Sequence, residues 1–248
     1  MDDDTGTGLP ASIEAAWGLR ERPHKGPKPG LSLERIVEAG VKVAASDGLA
    51  AVSMSRVATV LGASTMSLYR YVAAKDELLA LMVDAAGGTP PPPADPEEGW
   101  RAGLSRWATA YRDVLHRHPW ILRIPISAPP ATPNQIAWLE DGLRSLRGTG
   151  LTEGEKISTI LLLSGFVRNE ATLAADLQQA TGPMAHSSTA AWARALTRLT
   201  DAERFPALHA VLAAGVLDEP DDPDPEYSFG LERILDGIEA LVRARGPS

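Results

Sequence analysis

Apolar residues after Ser32 fall at three- and four-residue steps, through Leu33, Ile36, Val37, Val41, Val43 and Ala44. That is the spacing of one face of an α-helix. Ser32 is placed to cap this helix, and Gly48, after Asp47, to stop it. The period returns in Met54, Val57, Ala58, Val60 and Leu61 behind a Ser53 cap, and halts at Gly62. A third helix is predicted over about 64–72. A fourth, over about 75–86, carries Leu78, Leu79, Met82 and Val83 on its inner face. Gly87-Gly88-Thr89 and the prolines 90–93 then break the pattern, because proline lacks an N–H and clashes with the preceding turn. Beyond the break, Trp100, Leu104, Trp107, Tyr111, Val114 and Leu115 predict a long amphipathic helix ending near His118-Pro119. Ile136, Leu139, Leu143 and Leu146 predict another, and the longest and most apolar helix is expected over 152–180. Shorter helices follow at about 188–199 and 203–214, then an acidic, proline-containing loop at 218–226. A last helix is expected over 228–244, with Phe229, Leu231, Ile234, Leu235, Ile238, Leu241 and Val242. No two-residue alternation appears anywhere, so the fold class is all-α.

The breaks divide the chain into a Gly-, Pro- and charge-rich stretch at 1–30, a compact helical unit at 31–86 and a larger helical body at 95–245. The first stretch reads as a flexible arm, with at most a short helix around 13–19. Hydrophobic residues make up 44% of the 248 and charged residues 23%, the balance of an ordinary globular protein. The absence of cysteine excludes disulfides, thiolate zinc sites, iron–sulfur clusters and a cysteine nucleophile. Met1-Asp2-Asp3-Asp4 lacks the positive start and apolar core of a signal peptide. The longest apolar run, Ile157 to Val167, falls short of the roughly 18 residues a membrane helix needs, so a soluble, cytoplasmic product without membrane contact is expected.

The net charge of −8 is unevenly spread. Residues 20–75 hold nine Lys/Arg against four acids, a local balance of +5 inside an acidic chain. This is the footprint of a polyanion-binding module, although a chance excess on a solvated surface has the same appearance. The basic segment contains the stretch 53–72, SMSRVATVLGASTMSLYRYV, which reads as a helix-turn-helix. Gly62 supplies the positive φ that the tight turn requires, and Val57, Ala58 and Leu68 supply the contact that fixes the interhelix angle. Ser64, Thr65, Ser67 and Arg70 are left facing outward, where such a motif meets the major groove. Any helical hairpin with a glycine turn fits the same pattern.

Asp47-Gly48-Leu49, Val57-Ala58, Leu61-Gly62, Leu68-Tyr69-Arg70-Tyr71 and Lys75-Asp76-Glu77-Leu78-Leu79 resemble the N-terminal domain of the TetR (tetracycline-repressor-like) transcriptional regulators, over about residues 30–86. The string Phe229-Gly230-Leu231-Glu232-Arg233-Ile234-Leu235-Asp236-Gly237-Ile238-Glu239 is similar to the last helix of the subgroup nearest the tetracycline repressor itself. The resemblance implies a homodimer, with a three-helix DNA-binding head and a larger helical body for effector binding and dimerisation. It places Ser55 and Arg56 where the second helix touches DNA, and Thr65, Met66 and Ser67 where the recognition helix meets bases. Tyr69 matches a tyrosine that contacts a backbone phosphate or a base methyl, and Lys75 a phosphate-binding lysine. Ser53 and Ser64, at the starts of the two helices, complete the candidate set. Tyr71 departs from the family, which more often has histidine there; its hydroxyl could still donate to a phosphate. Arg70 could read guanine or neutralise a phosphate, and its late position on the helix favours phosphate. Lys25 and Lys28 form a basic arm that either lies in an adjacent minor groove or is an unbound tail.

In the body, Trp100, Trp107 and Tyr111 lie at helical spacing, with Trp120 and Trp138 nearby in sequence. A stripe of this kind is most often core. The resemblance points instead to a mixture, in which several of these rings, with Phe166, line an apolar cavity for an unidentified effector of apolar or aromatic character. Arg168, Asn169 and Glu170 interrupt an apolar helix, on a solvated or interface side or as a polar anchor for a ligand. His116 and His118 form no metal-ligand spacing, and neither a metal nor a cofactor is expected. The stripes of 152–180 and 228–244, with Gly165, Ala171, Ala174 and Ala175 allowing close approach, are the expected dimer helices, although a body of this size could bury them internally. The expected function is a regulator, most simply a repressor, that binds a palindromic double-stranded operator and is released by the effector. An all-α enzyme and a helical interaction module without DNA binding are the alternatives. No Ser/His/Asp set or glycine-rich phosphate loop supports the enzyme, so no enzymatic activity is expected.

Overall fold

The computed structural model describes residues 7–19, 31–93, 97–180, 189–217 and 223–246. Among the described residues there are eleven α-helices and no strand. They are α1 (Ala11–Ala16), α2 (Leu33–Asp47), α3 (Met54–Leu61), α4 (Thr65–Leu68), α5 (Lys75–Gly87), α6 (Trp100–Arg117), α7 (Pro133–Ser145), α8 (Glu153–Gln179), α9 (Thr189–Leu199), α10 (Pro206–Ala213) and α11 (Pro223–Arg245). Short 3-10 turns at Leu49–Ala51 and Pro119–Arg123 join α2 to α3 and follow α6. No described helix is long and apolar enough to cross a membrane.

The head is α2 to α4 wrapped on α5. Ile36, Val57, Leu68, Val72, Leu78 and Met82 are all withdrawn from solvent and form its centre. In the body α6 is the axis: α7, α8 and α11 pack round it, with Leu104, Leu115, Leu146, Leu163 and Leu235 fully buried. Arg101 on α6 pairs with Glu232, Asp236 and Glu239, which fixes α11 along α6. Arg106 reaches Asp141 on α7 at 2.9 Å and Glu98 at 3.1 Å. Helices α9 and α10 pack on each other, and α10 buries none of its residues.

Four expectations change. The arm expected over 1–30 is not free chain throughout. Residues 7–19 are docked, because Ile13 buries its side chain, Ser12 donates to Glu77 Oε2 at 2.6 Å, and the Trp17 indole donates to the Ala131 carbonyl at 2.8 Å. This short segment therefore straps the head, through Glu77 on α5, to the loop that precedes α7. The helix expected over 64–72 contracts to α4. The amides of Tyr71 and Val72 both turn back to the Leu68 carbonyl, at 2.8 and 3.0 Å, which tightens the chain so that Leu68 and Val72 both point into the core. The last helix starts at Pro223 rather than 228, and α10 starts at Pro206 rather than 203. Pro223 falls in the stretch expected as loop and Pro206 inside the helix expected over 203–214; both stand instead in a first helical turn, where the missing N–H costs nothing.

Candidate functional site

The exposed side of the head is built by serine caps and one glycine. Ser53 Oγ accepts the Arg56 amide at 3.1 Å and starts α3, while Ser64 Oγ accepts the Ser67 amide at 3.2 Å and starts α4. Between them Gly62 adopts φ 64°, ψ 30°, a left-handed conformation that a side chain would strain. The turn and the fully buried Leu68 hold α4 as a fixed platform. From it Met66 projects 76% exposed and Tyr69 45% exposed, while Thr65 and Ser67 are half-buried at their feet. Large side chains this exposed on a rigid helix are suited to contact a surface outside the chain.

Charge gathers beside this platform. Arg70 and Lys75 are exposed, Lys75 at the first turn of α5. Arg56 is also exposed and pairs with Asp47 at 2.8 Å; the Arg56 guanidinium, with help from Ser46, holds the Asp47 carboxyl below its ordinary range. Ser53 and Ser55 share a hydroxyl contact at 3.2 Å. Tyr71 is set differently from its neighbours: its hydroxyl donates to the Leu31 carbonyl at 3.1 Å, so that proton is already engaged within the head. Lys25 and Lys28 lie outside the described residues.

The eight body residues singled out from the sequence fall into separate places. Trp107, Tyr111 and Trp138 meet as one aromatic group, with ring centroids 5.4 to 6.0 Å apart. The Trp107 indole donates to the Trp138 carbonyl at 2.8 Å, and Arg168 reaches the Tyr111 hydroxyl at 3.3 Å. Gly142 lets α7 approach closely here, since a Cβ would meet Ile160 Cδ1 at 2.7 Å and Trp107 Nε1 at 3.3 Å. Phe166 stacks on Tyr227, centroids 5.7 Å apart, and the Arg112 guanidinium lies 4.3 Å from the centroid of the same tyrosine ring. Trp120 is buried in its 3-10 turn beside His118. Trp100 lines an open surface cleft of about 650 Å³ with Arg144, Arg147 and Arg243. Asn169 is exposed.

The polar trio on α8 thus separates: Arg168 points to the aromatic group, Asn169 to the outside, and Glu170 inward to Arg112, at 3.1 Å. Sequence reasoning missed Tyr227 and Arg112. Tyr227 sits next to a stretch read as loop, and no local spacing links it to Phe166.

The outer side of α8 carries Leu161, Leu162, Leu173 and Leu177, all well exposed, and Phe229 on α11 is exposed as well. Ala171 and Ala175 are instead buried within the chain and do not belong to that outer face.

Residues 36–82 match the model of the bacterial regulatory proteins of the tetR family, and residues 92–242 match that of the tetracyclin repressor-like C-terminal domain. The chain belongs to the TetR family. It is 38% identical to the HTH-type transcriptional repressor DrrR1 of Streptomyces coeruleorubidus, over 98% of this chain and 90% of that one. Among solved structures it is similar to apo ActR of Streptomyces coelicolor, at a TM-score of 0.74 and 27% identity, covering 89% of this chain and all of ActR. ActR in complex with actinorhodin matches at a TM-score of 0.73 and 28% identity, over 88% of this chain and 99% of that chain. As a TetR-family member the protein is a transcriptional regulator, with α3 and α4 as its helix-turn-helix.

Proposed function

We propose that this TetR-family regulator is a homodimeric repressor. It reads a palindromic operator with α4 and is released when a small aromatic compound occupies the site around Trp107, Tyr111 and Trp138. The observation that carries the DNA reading is the capped, rigid α4 with Met66, Tyr69 and Arg70 outward and Lys75 beside it. Met66 and Tyr69 offer apolar contact for thymine methyls. Arg70, Lys75 and Arg56 offer phosphate contacts, with Asp47 giving way to the phosphate at Arg56. Ser55, Thr65 and Ser67 supply short hydroxyl donors between them.

Dimerisation is supported by the exposed leucines of α8 and by the exposed Phe229 of α11, large apolar side chains that a partner helix would cover. A twofold pair of heads matches half-sites separated by whole helical turns. The aromatic character of the effector is supported by the ring group itself and by ActR, a relative solved with actinorhodin. Arg168 is its polar anchor, through the Tyr111 hydroxyl or directly. Such a regulator works in the cytoplasm, where its operator is.

A mobility-shift assay on the DNA flanking its own gene tests this reading. Retardation at low salt, reversed by a planar aromatic compound such as actinorhodin, is expected. No retardation of any flanking palindrome contradicts it.

A further inference from the structure

We propose that Trp138 is the positioning residue through which the head senses an occupant of the aromatic site. This inference rests on the effector reading above. Two helices of different regions, α5 and α7, are tied end to end. The N-terminal turn of α7 has no side-chain cap of its own: Thr132 makes none, and Pro133 follows it. The task falls to Asp84, in the last turn of head helix α5. Its Oδ1 accepts the backbone amides of Asn134 at 2.8 Å and Gln135 at 3.1 Å. A buried carboxylate at a helix N-terminus satisfies orphan donors and favours the helix dipole. In return the Asn134 side-chain amide donates to the Asp84 carbonyl and to Oδ2, both at 3.1 Å.

One turn further along both helices there is a second tie. The Trp138 indole donates to the carbonyl of Gly88, the residue that ends α5, at 2.9 Å. Asp84 to Gly88 and Asn134 to Trp138 are each one helical turn, so the ties are spaced about 5–6 Å along each axis. A single tie is a pivot, whereas two ties a turn apart fix an angle. While both hold, α5 and the head it carries keep one orientation on the body.

Trp138 belongs to both systems. Its ring stands edge-on to Trp107 at 6.0 Å and beside Tyr111 at 5.9 Å. A planar compound laid on the Trp107 face fills a layer about 3.5 Å deep where the edge of Trp138 now stands, so that edge must move aside. Trp107 cannot easily yield, being buried, tied to the Trp138 carbonyl and pressed by Ile160 across Gly142. Trp138 is half-buried and is the wall that gives way. A displacement of its ring by an ångström or so stretches the indole–Gly88 bond beyond hydrogen-bonding range. Of these two ties only the one between Asp84 and Asn134 then remains, and α5 can turn about it within the slack of the strap at residues 7–19. The state with both ties is the DNA-binding one, and the occupant shifts the balance by its preference for the parted rings.

The test is Trp138→Phe, which keeps an aromatic wall and removes the N–H. Fluorescence anisotropy with duplex DNA flanking the gene is measured without added compound, alongside hydrogen–deuterium exchange. Trp138→Phe is expected to weaken DNA binding about five- to tenfold, the worth of one such bond. It is also expected to speed exchange at residues 85–89 while leaving 54–68 at the wild-type rate. Asn134→Ala, which weakens the other tie, is expected to do the same at α5. A general loss of stability would instead raise exchange in α6 and α8 as well, and that pattern counts against the proposal. Wild-type DNA affinity and wild-type exchange at 85–89 in Trp138→Phe would overturn it outright. The two readings fail separately. If the wild type does not bind the DNA, the regulator reading falls and this inference falls with it. If actinorhodin leaves the wild type on DNA, the aromatic-effector reading falls, and the Trp138 tie is still decided by the two compound-free measurements.

Discussion

The head and the body are made of the same element but close their helix ends in different ways. In the head, α2, α3 and α4 each begin at a serine that accepts the amide three residues on: Ser32 from Arg35, Ser53 from Arg56 and Ser64 from Ser67. In the body, α7 is capped from Asp84, 50 residues earlier in the chain, and α11 is tied to α6 by Arg101 across more than 130 residues. Among the body helices whose N-caps are described, α8 alone has a local capping box, between Thr152 and Glu155. Local closure makes the head a self-contained unit that can be carried as a rigid tool. Closure at a distance makes the body's geometry depend on assembly, and so makes it adjustable. For a protein that must hold one DNA-reading shape yet answer a second signal, that division of labour places rigidity at the reading end and adjustability at the seam.

The strongest way to break the comparison is to empty the head's centre. Leu68→Ala removes a fully buried side chain beneath α4, and a loss of about 2–5 kcal/mol is expected. Because the head is self-contained, chemical denaturation should show it melting first, with DNA binding lost while the body stays folded. One unchanged cooperative transition would show that the head is not a unit. Next in size, Asp84→Ala leaves the amides at the start of α7 without their acceptor, at a cost of about 1–3 kcal/mol. Urea denaturation monitored by circular dichroism should place that loss in the body, although the mutated residue is in the head.

A paired substitution sharpens the contrast between the two kinds of cap. Ser53→Ala should cost about 1 kcal/mol, the usual worth of an N-cap. Thr132→Val, at the formal cap position of α7, should be neutral or mildly stabilising, because its buried hydroxyl has no partner among the described residues. Equal losses in the two variants would contradict the assignment of the α7 cap to Asp84. The smallest effect is one of pH. Arg245, then the Thr152 amide, lower the Glu155 carboxyl to about 2. A depressed carboxylate contributes stability that is complete above its unfolded value, about 4.3, and fades as pH falls through that value toward 2. Melting temperatures between pH 5 and 2.5 should therefore fall slightly more steeply in the wild type than in Glu155→Gln.

The head was legible in the chain because its signals are short-range. Capping serines, the Gly62 turn and the apolar steps from Ile36 to Met82 all act within a few residues of one another. The course of α6, α7 and α8 was legible for the same reason. What escaped was whatever closes over distance. Asp84 looks like an ordinary surface acid of an amphipathic helix until Asn134 and Gln135 arrive above it. Ile13 and Trp17 sit in a segment whose glycines, prolines and charges suggest free chain, and only the waiting surfaces of α5 and the 131 loop order them. Periodicity showed which rings share a face of α6, but not that Trp107 and Tyr111 meet Trp138 while Trp100 turns to an outer cleft. That sorting depends on how α7 packs across Gly142, which no spacing within one helix records.

The central claim is that the face around α4 grips DNA. It is tested most directly by the salt dependence of binding to the flanking operator, compared between the wild type and the variants Arg70→Ala and Lys75→Ala. Each phosphate contact adds about 0.9 to the slope of log affinity against log salt. The wild type should therefore show a steep decline, and each variant a slope shallower by about 2 per dimer, one contact for each head. Slopes identical in all three proteins, or an affinity indifferent to salt, would contradict the account.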